Sequence, residues 1–194
     1  MLSEMFYKLW NNGLIQLGVW ETIYMTLISS AIAYVIGLPL GVILSVTDAN
    51  GIRPTPWVNR ILGFVVNFFR SIPFVILMVA MLPVAKFVVG TSLGNKAVIV
   101  MLVIAAAPYV ARMCESSLKE VNAGVIEAAQ SMGANNFEII TKVLIPEAKP
   151  SLITGAAISI VTILGYSAMA ATIGGTGLGQ IAIIYGHQRS NPDI

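Results

Sequence analysis

The sequence predicts an all-α, polytopic transmembrane helical bundle, and three observations carry that expectation. Of 194 residues, 57% are hydrophobic and only 10% charged, where a soluble domain carries roughly 25% charged residues. Residues 22–46 and 150–188 contain no Asp, Glu, Lys or Arg at all. The only substantial polar region, residues 112–149, lies between them. So few charges cannot cover a water-facing surface, which excludes a soluble globular enzyme and a disordered chain. Helices are the expected spanning element, because backbone groups in lipid must be satisfied within their own segment.

A span needs about 20 largely apolar residues. Four segments qualify: 22–46, 61–85, 88–111 and 151–173. The second is bounded by Arg60 and Lys86 and interrupted by Asn67, Arg70 and Pro73. In the third, Lys96 is expected to snorkel toward a headgroup layer. After the fourth, Gly174, Gly175, Gly177 and Gly179 predict a turn, followed by a short apolar segment, 181–185, that re-enters or lies at the interface. Pro39, between Gly37 and Gly41, predicts a kink or an end near the close of span one. Small residues in spans one and four allow close helix approach. The opening residues, MLSEMFYKLWNNG, mix Glu4 with Lys8 and lead into no short apolar core with a cleavage site. The first long apolar segment is therefore expected to remain as an uncleaved insertion signal.

The loops 47–60 and 112–149 fall on one side of the bundle and hold Arg53, Arg60, Arg112, Lys119, Lys142 and Lys149. Lys8, Lys86, Lys96 and Arg189 lie opposite, so the excess of basic residues assigns the two loops to the cytoplasm. The net charge of +2 is scattered, and no nucleic-acid partner is expected. Cys114 and His187 are the single cysteine and histidine, too few for an intrachain disulfide or a Cys/His zinc site.

Within the polar loop, Val125, Ala128, Ala129 and Met132 share one helical stripe. Gly133 follows as a stop able to enter the left-handed region. Asn135 and Glu138 have the spacing of a capping box. Phe137, Ile140, Val143 and Leu144 supply the apolar face of a second helix, which Pro146 is expected to end. The loop thus reads as two short amphipathic helices hinged at a glycine, and such faces must be buried on the parent domain or on a partner.

Glu127-Ala128-Ala129, three residues, Gly133, twelve residues and Pro146 together resemble the EAA loop of ABC-importer permeases. Phe69-Arg70-Ser71-Ile72-Pro73-Phe74, Gly90-Thr91-Ser92-Leu93-Gly94, Ala106-Ala107-Pro108-Tyr109-Val110-Ala111-Arg112, Gly165-Tyr166-Ser167-Ala168-Met169 and Gly177-Leu178-Gly179-Gln180 are similar to the methionine-import branch of that family. The similarity runs from about Trp20 to about Gly186. It implies a type I ABC-importer permease fold in a bacterial cytoplasmic membrane, with methionine of either hand as cargo. The implied partners are a second permease copy, an ABC ATPase subunit and an extracytoplasmic substrate-binding lipoprotein. ATP would be bound by the ATPase subunit, and the chain itself would need no cofactor. Glu127, Ala128, Ala129, Met132, Gly133, Phe137 and Pro146 become the ATPase-docking residues. The family also implies another span beyond the glycine-rich segment. The sequence stops at Asn191-Pro192-Asp193-Ile194, so that span is expected to be missing or cut off.

Rival chemistry is thin. Gly90 to Lys96 lacks the G-x-x-x-x-G-K-[ST] spacing of a phosphate-binding loop, no HExxH occurs, and no serine is read as a nucleophile. A DNA-reading helix pair is a poor fit to a loop with more acids than bases. A channel or scaffold, or a permease for another amino acid or small peptide, remains the alternative. For a substrate path, Arg70 is the one charge deep in an expected span, where such charges are rare and often functional. Its neighbour Ser71, with Tyr166, Ser167 and Met169, completes the candidate lining.

Overall fold

The computed structural model describes residues 7 and 9–188. Lys8, Arg189 and the closing Asn191-Pro192-Asp193 lie outside the described residues. Within them there is no strand. The elements are α1 (Leu14–Thr47), α2 (Pro56–Ser71), α3 (Phe74–Ala80), α4 (Leu82–Val89), α5 (Asn95–Lys119), α6 (Ala123–Ser131) and α7 (Asn136–Ser167). A 3-10 segment (Ala168–Ile173), α8 (Leu178–Ile181) and a π-helical run (Ala182–Gln188) close the chain. Three helices, α1, α5 and α7, are long and apolar enough to cross a membrane. At 34, 25 and 32 residues they measure about 51, 38 and 48 Å, more than the ~30 Å hydrocarbon layer.

Several boundaries differ from the sequence reading. The stretch 61–85 is not one continuous helix: α2 and α3, which together are long and apolar enough for a span, are bent by 104°. Pro73 is the cause, since a residue before proline is pushed out of the helical region, and Ile72 is extended at φ −85°, ψ 127°. A second break at Met81 precedes α4, where Pro83 sits harmlessly in the first turn. The third span starts at Asn95, not 88, because Gly90 and Gly94 both take positive φ. The fourth helix begins well before 151. Pro39 neither ends nor breaks α1, which runs on to Thr47.

Pro146 does not end the second loop helix either, and α7 continues through it and Pro150. Residues Ile139–Leu144 are wound as a π-helix just before it. A widened turn of this kind already departs from the i−4 hydrogen-bond ladder, so a following proline removes less than it would from a regular helix.

The chain forms two compact units. One comprises Met1–Ala31, Pro73–Ile104 and Ile160–Ile194. In it the glycine-rich turn is held by side chains: Asn95 Nδ2 donates to Thr176 Oγ1 (2.6 Å) and to Glu21 Oε1 (3.3 Å), Thr176 N–H donates to Asn95 Oδ1 (2.8 Å), and Leu178 N–H donates to Thr22 Oγ1 (3.0 Å).

The other unit comprises Ile32–Ile72 and Ala105–Ser159. Here Gly41 lets α1 approach α5 so closely that an added Cβ would stand 2.6 Å from the Ala111 carbonyl oxygen and 2.6 Å from Cys114 Cβ. Leu44, Val66 and Ala111 form one buried cluster, joining α1, α2 and α5. Leu118, Leu144 and Ala148 form another, against which Val42, Val46, Ile126 and Leu152 pack.

Candidate functional site

The loop between α5 and α7 folds as an elbow, from local signals. Asn122 caps α6, its side chain accepting from Gly124 N–H at 2.8 Å. At the other end Gly133 takes φ +83°, Gly133 N–H donates to Gln130 O (2.9 Å) and Ala134 N–H to Ala129 O (3.1 Å). Those two bonds satisfy helix-end carbonyls in the Schellman pattern. The next helix starts on a reciprocal capping box: Glu138 N–H donates to Asn135 Oδ1 (3.0 Å) and Asn135 N–H to Glu138 Oε2 (3.1 Å). Lys142 then pairs with Glu138 at 3.1 Å.

The α6 stripe divides. Ala129 is buried and Ile126 packs against the Leu118 cluster. Val125, Ala128 and Met132 face outward, and across the elbow so does Phe137; Met132 is 82% and Phe137 74% exposed. Ile139 and Leu144, by contrast, are buried. Glu127 is exposed and borders a cavity of about 600 Å³ whose walls include Asp48, Lys119, Ile126, Gln130 and Leu144. Pro146 is exposed but lies within α7, not at the elbow.

Beside this elbow runs a chain of charges that draws together residues distant in sequence. Glu115, only 5% exposed, is bonded by Arg112 Nη1 at 2.5 Å and by Lys119 Nζ at 2.8 Å. Arg112 also donates to Asn67 Oδ1 (3.2 Å) and to the Gly63 carbonyl (3.3 Å) of α2. Lys119 reaches Asp48 Oδ2 at 2.7 Å, in the turn after α1. The Lys119 ammonium, with the backbone N–H groups of Asn50 and Ala49, holds the Asp48 carboxyl below the usual carboxylate range. The signal was present: positions 112, 115 and 119 are spaced i, i+3 and i+7 with alternating sign, which places them on one helix face.

The candidate path residues are less concentrated. Arg70 lies in the last turn of α2 and is exposed. It sits beside the bend between α2 and α3, in a last helical turn where a cation complements the helix dipole. Ser71 Oγ donates to Asn67 O at 2.8 Å. Both belong to the unit containing the elbow. In the other unit Tyr166 stacks on Phe74, with centroids 4.7 Å apart and planes 8° from parallel. Ser167 is buried and donates to Leu164 O at 2.7 Å, while Met169 is exposed.

Gly90-Thr91-Ser92-Leu93-Gly94 does have the G-x-S-x-G spacing of a nucleophile elbow. A nucleophile elbow follows a strand, whereas this segment joins two helices, and Ser92 Oγ donates to Leu82 O at 3.3 Å. Among the described residues no three His, Cys, Asp or Glu side chains are grouped to hold a metal ion.

Membrane-length helices joined by a capped elbow with an outward apolar face define a polytopic membrane protein. The chain belongs to the family of inner membrane components of binding-protein-dependent transport systems, whose pattern matches residues 37–192. It is 51% identical over 179 residues to the probable D-methionine transport system permease protein MetI of Vibrio cholerae, covering 92% of this chain and 80% of that one. With the D-methionine transport system permease protein MetI of Escherichia coli K12 it shares 49% over 152 residues, 78% and 70% of the two chains. Among solved structures, an inward-facing conformation of the MetNI methionine ABC transporter superposes with a TM-score of 0.90 at 48% identity, over 92% of this chain and 82% of that one. An amino acid ABC transporter crystallised with histidines matches at 0.76 and 20% identity, covering 98% and 86%, which speaks for the fold alone.

Proposed function

We propose that the chain is the membrane-spanning permease subunit of an ATP-driven importer in the bacterial inner membrane, carrying methionine, L- or D-, by alternating access. Two copies form the conduit, an ABC ATPase subunit docks on each elbow, and a substrate-binding lipoprotein delivers cargo from outside. ATP is bound and hydrolysed by the ATPase subunits; the permease has no catalytic role and needs no cofactor. Closure of the ATPase pair moves the elbows and opens the conduit outward, and hydrolysis resets it inward. Such a cycle requires the partner to bind the two states with different affinity. Methionine as cargo is supported by the relatives' 51% and 49% identity.

The observation that carries the docking reading is the outward set Val125, Ala128, Met132 and Phe137, presented on two helices whose other faces are already buried. Helix-in-groove docking uses such anchors. Glu127 stands at the rim of this surface, and Gly133 sets its angle. Met132→Asp and Phe137→Asp each place a charge where about 1.5–3 kcal/mol of apolar burial is expected. Either substitution should prevent co-purification of the ATPase subunit and abolish uptake of labelled methionine. An ATPase subunit that still co-purifies with both variants rules out this surface as the dock. Uptake of another amino acid in preference to methionine leaves the dock intact and overturns the cargo.

A further inference from the structure

The charged chain behind the elbow has no place in docking or in a substrate path. Its centre is Glu115, buried, with both carboxylate oxygens engaged by different cations. One cation, Arg112, reaches α2 through Asn67 and the Gly63 carbonyl. The other, Lys119, reaches the Asp48 turn, whose own oxygen Oδ1 accepts from Asn50 N–H at 3.2 Å. Asp48 and Lys119 are also walls of the cavity that Ile126, Glu127 and Gln130 of α6 close. The chain therefore runs from the cavity under α6, along α5, to α2.

Stability does not explain such an arrangement. A buried ion cluster gains little over well-packed apolar residues of the same volume, because desolvation offsets the attraction. What it does supply is geometry. Directional bonds fix one register between the pieces they join, and loss of a single partner leaves an uncompensated buried charge.

We propose that Glu115 is a positioning residue for energy coupling: with Arg112, Lys119 and Asp48 it braces the platform under α6 to α2, so that displacement of the elbow moves α5, α2 and the Asp48 turn together. This rests on the reading of α6 as the ATPase dock. Without the brace, the elbow would follow the ATPase while α2 lagged.

The test uses the full permease reconstituted in proteoliposomes with its ATPase subunit and substrate-loaded binding protein, reading ATP hydrolysed per labelled L-methionine imported. Glu115→Gln keeps the volume and removes the charge shared by both cations. The ATPase subunit should co-purify as with the unaltered permease, while ATP consumed per methionine rises about fivefold or more, the low end of coupling between linked sites. Asp48→Asn and Lys119→Met attack the chain at its more exposed end, where folding is tolerant. Each should raise the same ratio, and the double variant should add little to either single one. A merely structural cluster would lower yield and melting temperature yet leave the ratio of the surviving complex unchanged, and that result overturns the proposal. Should Glu115→Gln fail to fold, the Asp48 and Lys119 pair decides: strictly additive effects on the ratio also overturn it. An unaltered permease that does not retain the ATPase subunit refutes the docking reading itself.

Discussion

Gly133 offers the sharpest separation of backbone strain from crowding. Its φ is +83°, and a Cβ built on it meets no atom within 4 Å. Any penalty for a side chain is therefore conformational. For alanine in the left-handed region it is about 1–2 kcal/mol, a factor of roughly 5–30 in the population holding the elbow angle. Asparagine tolerates that region better, and a β-branched residue is a clear outlier there. The order of ATP-driven methionine uptake should then be Gly, Asn, Ala, Val, with permease yield little changed and retention of the ATPase subunit falling in the same order. The Schellman bonds from Gly133 and Ala134 N–H to α6 carbonyls should show faster amide exchange in the same sequence. Uptake by Gly133→Ala equal to that of the unaltered chain, or a Gly133→Val variant no worse than Gly133→Asn, would refute the claim that the turn's backbone sets the elbow.

Gly41 is the opposite case: its added Cβ would press on the Ala111 carbonyl and Cys114 Cβ at 2.6 Å, so Gly41→Ala should cost about 1–3 kcal/mol by overpacking. Gly165→Ala, where nothing lies within 4 Å, serves as the control in thermal unfolding of the detergent-solubilised chain. Tyr166→Ala removes the stack on Phe74 and should lower that stability by about 0.5–1.5 kcal/mol beyond the lost area, whereas Tyr166→Phe should be neutral. The Asp48 carboxyl is held low by Lys119, so its contribution is present above the ordinary carboxylate pKa and is lost as pH falls through the depressed folded value. Hydrogen exchange in the 48–55 turn should rise on acidification into that range, and Asp48→Asn should remove that dependence.

What was legible in the sequence was local. Gly133, Asn135 and Glu138 act on neighbours no more than five residues away, so the elbow is legible in the sequence. The faces of α6 could not. Ala128 and Ala129 are chemically equivalent, yet Ala129 is buried and Ala128 exposed, on a helix whose Ile126 packs on the Leu118 cluster. The prolines follow two rules. Pro73 broke its span, while Pro39, Pro108, Pro146 and Pro150 lie inside helices, because neighbouring helices and local π geometry can re-satisfy freed backbone groups. The charged chain was half visible. The spacing of Arg112, Glu115 and Lys119 is in the sequence, but Asn67 and Asp48 lie 45 and 71 residues from their partners, and no periodicity reports such a pairing.

The unbroken course of α7 through Pro146 changes how an elbow of this kind would deliver force. Had the second loop helix ended at the proline, a flexible joint would separate it from the membrane, and motion of Phe137 would dissipate there. Instead the helix is continuous from the capping box to its polar contacts: Ser151 Oγ donates to Ser117 Oγ on α5 at 3.0 Å, and Tyr34 Oη on α1 donates to Ser159 Oγ at 3.3 Å. In apolar surroundings a hydroxyl that loses its partner finds no water to replace it, so these bonds resist sliding more than their modest net energies suggest. The π-helical turn at Ile139–Leu144 then lies between Phe137 and the bundle. Its inward side chains, Ile139 and Leu144, are buried against the rest of the unit. A displacement imposed at Phe137 has to pass through that turn into α1 and α5 or unwind it, and packing on its inner face favours the first.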